Sequence, residues 1–158
     1  MALGPSLLVV GAVAALSSPV DAGTNDPGRT VKFRDGTVVP ALGQGSWHLG
    51  EGRHPGASEE EALRTGLLLG MTLIDTALVY AGGRSEELIG RVIAGQRDRV
   101  FLVSKVPPNR ATKDSIADAC ETSLVRLGTD HLDLYLLHWR GGITNLRRRR
   151  EAMSQASC

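Results

Sequence analysis

"LIDTALVYAGGRSEELIG", residues 73–90, begins as a buried strand, turns through glycines and ends as a helix. The apolar strand stops on a carboxylate, Asp75, and a tyrosine, Tyr80, follows five residues later. A carboxylate at that point is costly to bury unless a positive group answers it. Ser85 reads as the cap of the helix, whose residues Leu88, Ile89, Val92 and Ile93 share one face. Strand, glycine turn and helix in that order are one β/α unit.

The same unit recurs on both sides. Upstream, "VKFRDGTVV" (31–39) reads as two short strands around Asp35-Gly36, a strong hairpin signal. "ALGQG" (41–45) is a short strand ending in glycine, and Ser58 with Glu61 forms a capping box for a helix running to about Leu69. Downstream, "RVFLVSK" (99–105) is a strand, Thr112 to Leu127 a helix and "HLDLYLLHW" (131–139) the next strand. This alternation predicts an α/β fold with parallel strands and right-handed crossovers. Gly43 and Gly45 do not make a dinucleotide fingerprint, because His48 stands at the third glycine and no helix opens there. A β/α barrel fits better, with the hairpin plugging its floor.

Length and composition set the outer limits. The 158 residues predict one domain, and 18 basic against 17 acidic residues leave a formal net charge of +1. No surface-wide field favours nucleic acid. The basic run Arg147–Arg150 reads as part of a solvated tail, 147–158, rather than a nucleic-acid or targeting patch. Cys120 and Cys158 supply neither a disulfide framework nor metal-ligand spacing, so no metal is expected. Cys120 lies on the apolar stripe Ile116, Cys120, Leu124, Leu127 and reads as a packed thiol. Residues 1–30 form an extension and linker. Its uncharged start, "MALGPSLLVVGAVAALSSPV", resembles a short signal peptide but lacks a leading Lys or Arg, and its apolar run is too short for a membrane span. The expectation is a disordered extension on a cytoplasmic protein, with export as the alternative.

The chemistry gathers where the strands stop. Asp75, Lys105 and His138 each stand at the C-terminal end of a different parallel strand. In a β/α barrel those ends share one rim, where such barrels do their chemistry. Lys105 is then the positive partner that Asp75 requires. Singly, each residue has a plainer reading: a structural ion pair, a packed histidine, a packed tyrosine. Together they suit carbonyl reduction. A phenol is a weak acid at neutral pH, and a neighbouring cation makes it a stronger one. Asp75 would hold Lys105 oriented, Tyr80 would protonate a developing alkoxide, and His138 would hydrogen-bond the same oxygen. The hydride must come from a cofactor.

These residues resemble the aldo-keto reductase family. "LIDTALVYAGGRSEELIG" is similar to its first signature, "VSK" (103–105) and "LLHW" (136–139) to the segments carrying its lysine and histidine, and "LGQGSW" (42–47) to its first-strand motif. The resemblance covers roughly 31–145. It implies a (β/α)8 barrel, NADPH as cofactor and an aldehyde or ketone as substrate. It implies Tyr80 as general acid, Lys105 and Asp75 tuning it, and His138 orienting the carbonyl. Gly45, Ser46 and Asp75 would meet the cofactor, and Trp47, His138 and Trp139 the substrate. A full barrel takes about 250 residues, whereas a half barrel of about four β/α units over 31–146 is all that can be counted here. The expectation is therefore a truncated barrel, weak or inactive alone, able to self-associate through open edges. A non-catalytic binding or assembly module, or a non-functional gene fragment, is the alternative.

Overall fold

The computed structural model describes residues 29–113 and 115–141. The expectations for the N-terminal extension up to residue 28 and for the basic tail lie outside the described residues.

A hairpin comes first. β1 (Thr30–Lys32) and β2 (Val38–Pro40) pair antiparallel, with Val31 opposite Val39. Asp35 and Gly36 make the turn as expected: the Asp35 carboxylate accepts from the Thr37 amide at 2.9 Å, and Gly36 takes φ +95°. Phe33 meets Phe101 edge-on at 6.1 Å between ring centroids, so the hairpin sits beneath the start of a sheet strand, at the barrel floor.

The sheet holds four parallel strands in chain order: β3 (Gln44–Gly45), β4 (Leu73–Asp75), β5 (Phe101–Val106) and β6 (Leu134–Leu137). Helices α1 (Gly56–Leu68), α2 (Arg84–Ile93) and α3 (Ile116–Leu127) make the crossovers. Leu63, Leu67, Ile74, Leu88, Ile89, Val92, Leu102 and Leu127 form the core between sheet and helices. Gly90 lets α2 and α3 come close, since a Cβ there would stand 2.8 Å from the carbonyl oxygens of Arg126 and Leu127. Cys120 is buried in this core, on the stripe its spacing predicts.

Register decides what faces the barrel interior. Gly45 pairs with Asp75, Asp75 with Val103, and Lys105 with Leu136. Side chains alternate along a strand, so Val103 and Lys105 share a face, as do Leu136 and His138. Gly45, Asp75, Lys105 and His138 therefore belong to one face and climb the rim in steps. Ser46, Thr76 and Ser104 have the opposite parity and turn toward the helices.

Three helix starts differ from expectation. Ser58 lies inside α1, whose cap residue is Pro55, and no capping box forms. Ser85 lies inside α2, where Gly83 in a left-handed conformation holds the cap position. α3 begins at Ile116, after a turn at Pro108–Arg110. The Ser85 hydroxyl bonds to Ser46 instead. The helix ends follow simpler rules: Gly70 and Gly128, both at positive φ, close α1 and α3 with reversed amide bonds to the last turn.

Candidate active site

Lys105 projects from β5 toward β4. Its Nζ donates to Asp75 Oδ2 at 2.7 Å and to the Thr76 carbonyl at 2.8 Å. Asp75 thus has the partner its position demands. The same Nζ stands 5.2 Å from the Tyr80 ring centroid, within reach of the ring's electron-rich face.

Tyr80 is brought here by a tight turn. After β4 the chain passes Ala77 and Leu78, which are buried, then turns at Tyr80–Gly83 with Ala81, Gly82 and Gly83 all at positive φ. Tyr80 meets His138 edge-on at 5.3 Å, and His138 meets Trp139 at 4.6 Å. The His138 amide bonds the Val106 carbonyl at 2.9 Å, fixing the residue just beyond β6. Its Nδ1 is buried and has no hydrogen-bond partner among the described residues. Burial first, and then the Lys105 cation, hold His138 below the usual histidine range, with Asp75 acting weakly the other way. The ring is neutral at pH 7 and keeps one N–H to donate.

A cleft of about 440 Å³ opens over these groups, lined by Trp47, Glu51, Val79, Tyr80, Ala81 and His138. Trp47 stacks on His48 at 4.3 Å, and the Glu51 carboxylate binds both His48 Nδ1 and Arg53. Trp139 is exposed beside the mouth. The other tyrosine, Tyr135, belongs elsewhere: burial and then Glu86 push its hydroxyl up to about 12. Only Tyr80 is both at the cleft and beside a cation.

Ser46 lies on the opposite face from Gly45. It is fully buried, its Oγ 2.9 Å from Ser85 Oγ, while its amide donates to Asp75 O and its carbonyl accepts from Leu49 N. Its parity turns the side chain toward the helical layer. Gly45 is different, being exposed with open space where a Cβ would stand. Glu51, Val79 and Ala81 went unnoticed in the sequence. Their signal was position alone, beside residues whose chemistry drew attention.

The parallel strands and the shared rim define a β/α-barrel protein in which a tyrosine and a histidine line a cleft and a lysine–aspartate pair stands beside the tyrosine. Comparison with known proteins gives the family: the Aldo/keto reductase family model matches residues 41–156, and the chain belongs to that family. It is 50% identical over 113 residues to Methylglyoxal reductase YeaE of Escherichia coli (strain K12), covering 72% of this chain and 40% of that protein. Aldo-keto reductase YhdN of Bacillus subtilis (strain 168) is 35% identical over 133 residues, 76% of this chain and 40% of that one. An aldo/keto reductase structure from Klebsiella pneumoniae, in complex with NADP and acetate, superposes with a TM-score of 0.74 at 51% identity, covering 80% of this chain and 44% of that one. The chain thus spans about 40% of the length of the curated relatives it matches, and its sheet is a partial barrel. Among the described residues no helix is long and apolar enough to cross a membrane.

Proposed function

We propose that this chain carries the proton-transfer part of an NADPH-dependent carbonyl reductase acting on small aldehydes or ketones. The observation behind the reading is the convergence of four residues from separate chain segments: Tyr80 and His138 line the cleft, and the Lys105–Asp75 pair stands beside the Tyr80 ring. Tyr80 donates its phenolic proton to the carbonyl oxygen as negative charge grows there. Lys105 stabilises the phenolate left behind, and Asp75 keeps the ammonium in place. His138, neutral, directs its remaining N–H at the same oxygen. Trp47 and Trp139 offer apolar walls to the substrate.

NADPH, when bound, supplies the hydride. The residues present fit its reactive end: Gly45 leaves open space on the face shared with Asp75, and no side chain fills it. The identity to a methylglyoxal reductase favours small 2-oxoaldehydes among the substrates.

Because the chain spans part of its relatives' length, the test uses a chimera, with residues 41–141 replacing the matching segment of the Escherichia coli relative. Methylglyoxal and nitrobenzaldehyde reduction is followed by NADPH absorbance. The chimera should turn over, and Tyr80→Phe should lower kcat about 10²- to 10⁴-fold, the range of general acid catalysis, with NADPH affinity within twofold. An active chimera indifferent to Tyr80→Phe would refute the assignment. Self-association through the outer edges of β3 and β6 is also proposed, on the exposure of Leu136 on the interior face. A strictly monomeric 158-residue chain in sedimentation would refute it.

A further inference from the structure

Behind the rim lies a buried polar chain that the proposed chemistry does not use. Glu86, in the first turn of α2, is fully buried. Its Oε1 accepts from the Ser104 hydroxyl at 2.8 Å, and its Oε2 faces Arg126 Nη1 at 3.4 Å. Arg126 comes from α3, and the same Nη1 donates to the Leu78 carbonyl at 2.9 Å. The guanidinium occupies the space a side chain at Gly83 would need, since a Cβ there would collide with it. Arg126 therefore grips both shoulders of the turn that carries Tyr80. Ser104 directly precedes Lys105 on β5, and opposite parity sends Lys105 forward to Asp75 while Ser104 reaches back to Glu86.

One continuous path thus joins the two groups whose spacing matters: the Tyr80 turn, Arg126, Glu86, Ser104, Lys105. We propose that Arg126 and Glu86 are positioning residues that hold Tyr80 over the Lys105 ammonium from the far side of the sheet. This rests on the reading of Tyr80 as proton donor. A guanidinium suits the task, because one Nη1 whose hydrogens are fixed in the guanidinium plane serves both the Leu78 carbonyl and the Glu86 carboxylate, whereas an ammonium's donors rotate about a point charge. The turn takes positive φ at Ala81, Gly82 and Gly83, and Arg126 holds it at the Leu78 carbonyl and packs against Gly83.

The test uses the full 158-residue chain and its two tyrosines, Tyr80 and Tyr135. Labelling with 3-fluorotyrosine gives two fluorine resonances, and Tyr80→Phe identifies which belongs to Tyr80. Arg126→Lys keeps a positive charge against Glu86 but loses the fixed planar donor. It should broaden or shift the Tyr80 resonance, while Thr122→Ala, on the same helix, leaves it in place. Should Arg126→Lys fail to fold, the pair Glu86→Gln with Arg126→Met removes both charges together and strands neither. It should move the Tyr80 resonance in the same sense. A Tyr80 resonance unchanged in a folded variant overturns the proposal.

A second readout separates this inference from the reading beneath it. In the chimera, Arg126→Lys should lower kcat about tenfold with KM for the aldehyde within twofold. If Tyr80→Phe abolishes turnover and Arg126→Lys leaves kcat intact, the positioning role is wrong and the acid assignment stands. If Tyr80→Phe changes nothing, the acid assignment itself has failed, and the resonance measurement alone judges the grip.

Discussion

Removing the Lys105 ammonium with Lys105→Met should cost stability as well as chemistry, and the size of the loss follows from how the pair is exposed. At 2.7 Å the gross Coulomb attraction is about 6 kcal/mol at an effective dielectric constant of 20. Desolvation offsets much of it. The Lys105 side chain is 15% exposed and that of Asp75 38%, so the lysine has given up most of its water and the carboxylate has not. The pair therefore belongs between exposed bridges, worth about 0–1 kcal/mol, and buried ones, whose breaking costs about 3–5 kcal/mol. About 2 kcal/mol is expected for Lys105→Met. Asp75→Asn keeps the shape and one acceptor, and should cost about 1 kcal/mol. Combined, the two changes should fall short of their sum by about 1 kcal/mol, the coupling of a contacting pair. Urea unfolding of the four proteins, followed by tryptophan fluorescence, measures all three. A coupling below about 0.3 kcal/mol, the level seen for independent sites, would show that the two charges share a rim without holding each other.

Two further outcomes follow. His138 titrates below its usual range in the folded chain, so between that lowered value and about 6.5 the unfolded state holds a proton that the folded state does not. Stability should then rise with pH through this window, and His138→Gln should flatten the urea midpoint between pH 5 and 7; equal slopes for both proteins would refute the shift. Gly83 and Gly52 both have positive φ, but only at Gly83 would a Cβ strike a neighbour, the Arg126 guanidinium. Gly52→Ala should cost about 1 kcal/mol of backbone strain and Gly83→Ala at least about 2 kcal/mol, and equal melting temperatures would contradict the packing described for Arg126.

The rim was legible in the sequence because its signal is periodic. Strands that stop on Asp75, Lys105 and His138 carry their own register, and side-chain alternation then fixes the face. Serines were harder. Ser58, Ser85 and Ser46 each sit at a spacing with a standard meaning, yet α1 starts from Pro55, the Ser85 hydroxyl bonds to Ser46, and parity turns Ser46 toward the helices. Ser85, the apparent cap, spends its hydroxyl on Ser46 across thirty-nine positions of sequence. Arg126 was invisible for a related reason. Its partners, Leu78 and Glu86, lie 48 and 40 positions away, and nothing in an amphipathic helix marks one arginine as the one that reaches inward. A faint clue was present in Glu86 itself, since a carboxylate that close to the buried end of a strand needs a cation from somewhere.

Every strand of the sheet pairs with the one made just before it, and this has a consequence for birth on the ribosome. The site forms in the order of translation: Asp75 and Tyr80 emerge first, Lys105 next, His138 last. At ~5–20 residues per second, the interval from Asp75 to His138 lasts roughly 3–13 s. For the first part of that time Asp75 has no counter-ion and must remain in water, so β4 can dock fully only when β5 arrives. The ion pair that later tunes the rim would first serve as a latch between successive pieces of nascent chain.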